Sequence, residues 1–250
     1  MTIYKEFVLA INSYIEAHKL ILRHKLWVFV LIPGIINLLL FALIFAIAWT
    51  TADAFAYVIL DFIGIGDEEG IMYMVKIVIS FLIRVILILM YLMVYKYVVL
   101  IIMSPFMAIL SEKIEKIVTE TQYSFHFSQF IKDVIRGSFL AIKNMFIELV
   151  LIAVLMILSF VPLLNFITPV MILLVQGYFF GFSLIDYTNE RKKLSVKESA
   201  KFVSEHKGLS IGIGLGFYGL LLIPVLGLLL APTYGVTAAT LSVLKQAEQD

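Results

Sequence analysis

The stretch LWVFVLIPGIINLLLFALIFAIAW, residues 26–49, holds 24 residues without a charged side chain and carries a tryptophan near or at each end. Trp27 and Trp49 are 22 positions apart. On a helix that separation is roughly 33 Å, against a hydrocarbon core of about 30 Å. Tryptophan prefers the level of the lipid head groups, so the pair reads as the two interface anchors of one complete membrane crossing.

Composition leads to the same conclusion. The chain of 250 residues is 62% hydrophobic and only 15% charged, with 20 Phe, 12 Tyr and a mean hydropathy of +1.04. A soluble domain carries about 25% charge. The length leaves room for one membrane domain spanning 1–250 and for no separate soluble one. A net charge of +1 with no long basic run or basic face argues against a nucleic-acid partner. With no cysteine, disulfide and thiolate chemistry are excluded. The 24 apolar residues exceed the 7 to 15 of a signal-peptide core, so the segment is expected to stay in the protein.

Outward from this crossing (26–62), the N-terminal 1–24 shows Ile3, Phe7, Ile11, Tyr14 and Ile21 at helical spacing, with Lys5, Glu6, Asn12, Glu16 and Lys19 mostly elsewhere. This predicts an amphipathic helix lying along the membrane surface. After the crossing, Gly64, Gly66 and the acidic run Asp67, Glu68, Glu69, Gly70 predict a turn. A second long helix follows over 71–118, roughly 70 Å, more than twice the hydrocarbon thickness, so its polar end with Glu112, Lys113, Glu115 and Lys116 must project into water.

Charge orients these segments. The connection from Asp53 to Glu69 carries five acids and no Lys or Arg, whereas the stretches before 26, over 113–143 and over 191–207 carry 15 Lys and Arg between them. By the positive-inside rule both termini and the later polar stretches are cytoplasmic, and the acidic turn is external.

Two apolar regions then begin and end on the cytoplasmic side. Leu149 to Ile185 is uncharged and interrupted by Pro162 and Pro169; Leu209 to Leu244 repeats the scheme with Pro224 and Pro232. Their arms, of about 12 to 16 residues, are roughly 18 to 24 Å long, short of a comfortable span. Each region therefore reads as a half-penetrating helical hairpin, over 128–185 with its lead-in helix and over 209–244, with the four prolines at the turns. Four full crossings through thinned lipid are the alternative. Between the hairpins, Ser195-Val196-Lys197-Glu198 predicts a capping box that opens a cytoplasmic helix over 195–207, closed by Gly208.

Several local strings together resemble the CysZ-type sulfate permeases, a family that includes the etoposide-induced-protein-like membrane proteins. They are Ser104-Pro105-Phe106 with Leu110, Glu112 and Glu115; Lys132-Asp133 with Arg136; Phe160-Val161-Pro162 with Pro169-Val170; Asp186-Tyr187 with Leu194 to Glu198; and Ile223-Pro224 with Ala231-Pro232 and Ala238-Ala239-Thr240. The resemblance covers about four fifths of the chain in order. It implies an all-helical inner-membrane protein with two long crossing helices and two half-penetrating hairpins, a homo-oligomer that passes sulfate into the cell for cysteine synthesis. It also implies an arginine pair just before the first crossing, ahead of a Phe-Val-x-Leu-Pro run. Here Phe29-Val30-Leu31-Ile32-Pro33 and Asn37 fit the run, but Trp27 and Val28 stand where the arginines would. Arg23, His24 and Lys25 lie one turn earlier and are the candidate substitutes.

Among single residues, Arg84 falls about 12 positions into the second long helix, where a charge costs roughly 2.5 to 3.5 kcal/mol. Ser80, Tyr91 and Tyr95 share its face. It is either part of an anion-lining stripe or a structural arginine paired with Glu148 or reaching the interface. Arg23, His24 and Lys25 either receive an oxyanion at the start of the crossing or anchor the chain to the cytoplasmic leaflet. Arg191, Lys192 and Lys193 read as an anchor to anionic lipid. Gly208, Gly212 and Gly216, spaced four apart, read as a helix-packing face rather than a nucleotide loop, because no strand precedes them; Gly177 and Gly181 read likewise. The histidines His18, His24, His126 and His206 lack metal spacing. No nucleophile and base pair up, and no cofactor is implied.

The sequence thus predicts a multi-pass protein of the bacterial inner membrane, not an enzyme, acting as a permease or channel-like transporter for sulfate or a related inorganic oxyanion. The alternative is a non-transporting membrane assembly or lipid-shaping protein.

Overall fold

The structure, a computed structural model, describes residues 2–64, 71–120, 127–223 and 225–248. The acidic turn expected around Asp67 and the turn residue Pro224 lie outside them. All the regular structure described is helical: α1 (Ile3–Arg23), α2 (Trp27–Phe62), α3 (Ile71–Thr119), α4 (Phe127–Leu158), α5 (Thr168–Arg191), α6 (Val196–Glu205), α7 (Lys207–Leu221) and α8 (Leu226–Ala247). Five helices among the described residues, α2, α3, α4, α5 and α8, contain a stretch long and apolar enough to cross a bilayer. The expectation of an all-α membrane protein therefore holds at that level.

The chain divides into two compact units, one formed by residues 1–37 and 100–250, the other by 38–99. In the second unit α2 and α3 meet through side chains: Thr51 Oγ1 and Tyr91 Oη are 2.8 Å apart, and Phe41 meets Tyr95 edge to face at 5.3 Å. Tyr91 and Tyr95 are thus engaged in pairing the helices. Arg84 is exposed, as are Val78, Phe81, Leu82, Val85 and Leu89 around it. None of the most apolar stretch of α3 is buried, as befits a helix that faces hydrocarbon.

The first unit is organised around α8. Of its most apolar stretch 78% is buried, and every residue from Ala231 to Leu244 is inside. Close approach is made possible by missing side chains. On α7 the glycines face two ways: a Cβ on Gly208, Gly212 or Gly216 would strike Ile3, Ala10 or Tyr14 of α1, while one on Gly214 would strike the backbone of Gly177 on α5. Gly181 in turn lies against the backbone of Ser210. Such small-residue seams let membrane helices pack where no hydrophobic force draws them together.

The face of α1 that enters this unit only partly coincides with its large apolar residues: Ile21 is buried and Tyr14 packs on Gly216. Glu6, Ala10, Ser13, Ala17 and Ile21 are buried, whereas Ile3 stays 62% exposed. The glycine face of α7 takes the Ile3 backbone, the Ala10 methyl and the Tyr14 ring. Glu6 sits over the start of α7, accepting from the Gly208 amide at 3.0 Å and lying 2.9 Å from His206 Nδ1. A carboxylate there meets unpaired amides and the positive end of the helix. Gly208 accordingly does not close α6: α6 ends at Glu205, and Gly208 lies in the first turn of α7. The capping box is formed in both directions, Glu198 N to Ser195 Oγ and Ser195 N to Glu198 Oε2. These bonds hold the Glu198 carboxyl below its usual range. The box is therefore complete above the carboxylate range and opens only as pH falls below it, through the depressed value.

Two further expectations are corrected. The lead-in helix and first hairpin arm are continuous as α4, which extends the helix well beyond its uncharged part; the turn spans 159–167, with Pro162 in it and Pro169 in the first turn of α5. Pro232 does not stand at a turn. It lies inside α8, buried, while α7 ends at Leu221 and α8 begins at Leu226, after Val225 with φ +61°.

The glycine seam predicts a contrast within one helix. Gly214→Ala is expected to destabilise by about 1–3 kcal/mol, because the backbones of α5 and α7 must separate. Gly219, with nothing within 4 Å of a built Cβ, is expected to accept alanine with neutral effect or a gain of up to about 1 kcal/mol. Thermal unfolding of the two variants in detergent checks the difference.

Candidate functional site

The cationic residues ahead of the first crossing are gathered in one tight turn. The Leu26 amide donates to the Ile21 carbonyl and the Lys25 amide to that of Leu22, with Lys25 at φ +52°. This is a Schellman ending, closed by the buried pair Ile21 and Leu26. It leaves Arg23, His24 and Lys25 exposed at the start of α2. A cation from far along the chain meets the first turn of α2: the Lys113 ammonium lies 4.9 Å from the centre of the Phe29 ring. Trp27 and Val28 are 43% and 62% exposed beside it.

What holds this corner in place is a reciprocal repair of two prolines. Pro33 in α2 has no amide hydrogen, so the Phe29 carbonyl, four residues earlier, loses its helical donor. Thr233 Oγ1 of α8 supplies one. Pro232 likewise orphans the Leu228 carbonyl of α8, and Asn37 Nδ2 of α2 donates to it at 2.6 Å. Gly34 lets the two backbones close up, since a Cβ there would lie 2.5 Å from the Leu229 carbonyl oxygen.

A second polar group lies where α4, α5 and α6 meet. Arg136 holds Asp186 through two bonds of 2.9 and 3.1 Å and reaches Glu190 at 3.6 Å. Asp186 also accepts from Ser199 Oγ at 2.5 Å, and Ser199 accepts from Asn189 at 3.0 Å. Arg191 pairs with Glu115 of α3 at 2.6 Å. Its guanidinium is thus drawn inward to a carboxylate rather than outward to lipid, unlike the exposed Lys192 and Lys193. Ser111, Thr188 and Thr240 form a buried hydroxyl cluster linking α3, α5 and α8. Strings that lie apart in the sequence therefore converge: Glu115, Arg136, Asp186-Tyr187, the Ser195 helix and Thr240 belong to one interior.

The structure thus keeps Arg23, His24 and Lys25 exposed in one turn and sets Lys113 over the Phe29 ring of α2. Arg84 belongs to the 38–99 unit. Among the described residues no three His, Asp or Glu side chains are placed to hold a metal. His18 faces Tyr234 Oη at 2.7 Å and His206 faces Glu6, both contacts between helices.

Comparison with known proteins gives near full-length matches. The family model described as Sulfate transporter CysZ/Etoposide-induced protein 2.4 matches residues 13–232. The chain is 30% identical over 229 residues to a protein of Pseudomonas paraeruginosa named Sulfate transporter CysZ, covering 90% of each. It is 29% identical over 228 residues to the protein of the same name in Pseudomonas aeruginosa, again over 90% of each. For that of Pseudomonas syringae pv. tomato the identity is 27% over 237 residues, 94% of this chain and 91% of the other.

The proline repair predicts a conditional effect. Asn37→Ala is expected to cost about 1–3 kcal/mol by leaving the Leu228 carbonyl without a donor. In a Pro232→Ala background, where residue 232 regains its amide, the same change is expected to cost little. A double-mutant cycle on unfolding free energy measures the coupling, and additive effects would refute the repair.

Proposed function

We propose that this chain, which belongs to the Sulfate transporter CysZ/Etoposide-induced protein 2.4 family, is an inner-membrane permease that passes sulfate, or a closely related tetrahedral oxyanion, into the cell to supply sulfur assimilation. The observation that carries this reading is the near full-length similarity to proteins bearing the name Sulfate transporter CysZ, which are transporters by name and not enzymes.

The cationic corner gives the reading a physical basis. A dianion leaving water needs opposed charge and hydrogen-bond donors, strong enough to attract it and weak enough to let it go. Arg23, His24 and Lys25 stand exposed just before α2 and Lys113 lies over Phe29 in its first turn, an open arrangement that suits capture and release. They take the place of the arginine pair absent at Trp27 and Val28. Arg84 is the second positive station along the path. Two separated stations match the need of a dianion for more than one opposed charge in a low-dielectric route.

In this reading α2 and α3 cross the bilayer, α4–α5 and α7–α8 enter as hairpins, both termini are cytoplasmic and copies assemble into a homo-oligomer. The 15 residues of α7 favour partial entry, being roughly 22 Å long against a core of about 30 Å.

Uptake into liposomes of labelled sulfate, thiosulfate, molybdate and phosphate tests the activity, with sulfate expected to enter well above protein-free background. Arg23→Gln with Lys25→Gln, and separately Arg84→Met, are each expected to lower the initial rate by roughly tenfold if each station contributes about 1.4 kcal/mol. Normal flux through both would sink the site assignment and leave the family membership untouched. Single cysteines at Asn165 and Leu222, in a chain without native cysteine, are expected to resist an impermeant external reagent. Labelling from outside would instead show full crossings.

A further inference from the structure

We infer that the outward face of α1 is a docking surface for anionic phospholipid, gathering its headgroups from the leaflet on which the helix lies. The rotation of α1 about its axis is fixed from the protein side. Glu6, Ala10, Ser13, Ala17 and Ile21 are buried. Polar bonds clamp the same side: Glu6 accepts from the Gly208 amide, Tyr14 Oη donates to the Ile213 carbonyl at 2.5 Å, and Glu16 pairs with Lys245 of α8. What α1 turns outward is therefore set by the fold.

The outward side carries two parallel lines, because residues seven apart are separated by nearly two whole turns. Val8, Ile15 and Leu22 form an apolar line with Tyr4 beside it, all exposed. Lys5, Asn12 and Lys19 form the neighbouring line, also exposed, and Arg23 continues it one turn on. The apolar line leads through the turn at 24–26 into α2, which exposes Trp27, Val28 and Leu31. An apolar line at the acyl boundary with lysines alongside is the pattern of a helix bound in a lipid surface, the lysine stems lying along apolar groups while the ammonium reaches the phosphates.

Charge selects the lipid. α1, the turn after it, the helices α7 and α8 packed against it and the chain beyond α8 carry six cations, Lys5, Lys19, Arg23, Lys25, Lys207 and Lys245, and four acids, Glu6, Glu16, Glu248 and Asp250. Both acids of α1 itself are engaged, Glu6 buried against His206 and the Gly208 amide and Glu16 with Lys245, so neither outward line contains one. A zwitterionic leaflet accommodates the apolar line but offers the lysine line no net attraction. A second copy of the same face would add basic residues to basic residues. The surface is a property of the fold and stands whether or not sulfate is the cargo.

The test uses the full chain with Ile15→Cys, its only cysteine, carrying a fluorescent label, in vesicles of phosphatidylcholine with phosphatidylglycerol as the minor lipid. A nitroxide quencher is carried near the headgroup of one lipid or the other, at equal low fraction. Nitroxide phosphatidylglycerol is expected to quench roughly fivefold more than nitroxide phosphatidylcholine, the ratio that about 1 kcal/mol of attraction gives. Lys5→Gln with Lys19→Gln, which leaves the packed side of α1 intact, is expected to lower the ratio by half or more. Salt at about 1 M, where the Debye length is about 3 Å, is expected to bring it toward one without any substitution. Equal quenching by the two lipids overturns the proposal, and so does a preference that survives both the double variant and the salt. A label reached by neither lipid quencher nor aqueous acrylamide would put a protein partner or a second copy on this face, and one reached by acrylamide alone would leave it in water; each overturns the proposal.

Discussion

A carbonyl that loses its helical donor inside a bilayer has no water to turn to, and much of this structure follows from how that need is met. The helix starting at Trp27 and the helix starting at Leu226 each carry a proline at their seventh residue, and each repairs the other. Within hydrocarbon an unsatisfied backbone group costs several kcal/mol, so neither proline is tolerable alone. Together they fix the contact, because Thr233 and Asn37 reach their carbonyls only in one register. The corner that presents Arg23, Lys25 and Lys113 is held against the core helix by this exchange, which gives a cation cluster on flexible side chains a rigid base.

How much of this can be read from the residues depends on how far apart the partners lie. The span from Leu26 to Trp49 is legible because its signal is local: an apolar run of one bilayer's length between two tryptophans. The capping box at Ser195 is legible for the same reason, since its partners are three residues apart. The glycines of α7 could be recognised as a packing face, but not that α1, two hundred positions earlier, would be the helix that meets them. Pro232 reads as a turn residue in the sequence because proline breaks helices; what keeps α8 intact is Asn37, nearly two hundred positions away. The same distance hides Lys113 over Phe29 and the pairing of Arg136 with Asp186, where each partner by itself looks like an ordinary charge near a helix end.

The charges divide into two populations with different work. Those inside, Glu6, Glu115, Asp186 and Glu190, are buried and bound to His206, Arg191, Arg136 or a helix start. Taking such groups out of water is costly, and once paired they fix which helices meet rather than adding much stability. Arg23, His24 and Lys25 stay in the open, where attraction for an anion is modest and reversible.

The proline exchange also bears on how the chain is made. A ribosome delivers residues in order, so the segment from Phe29 to Asn37 enters the membrane long before Leu228 and Thr233 exist. Until the last helix emerges, the Phe29 carbonyl has no hydroxyl to cover it, and α1 lacks the glycine face of α7 on which it rests. The Phe29 to Asn37 segment is therefore inserted well before the groups that complete it are made. A nascent chain of this design must be sheltered by the insertion machinery or by neighbouring lipid head groups through nearly the whole of its synthesis, and its C-terminal helix serves as the closing piece of the membrane domain.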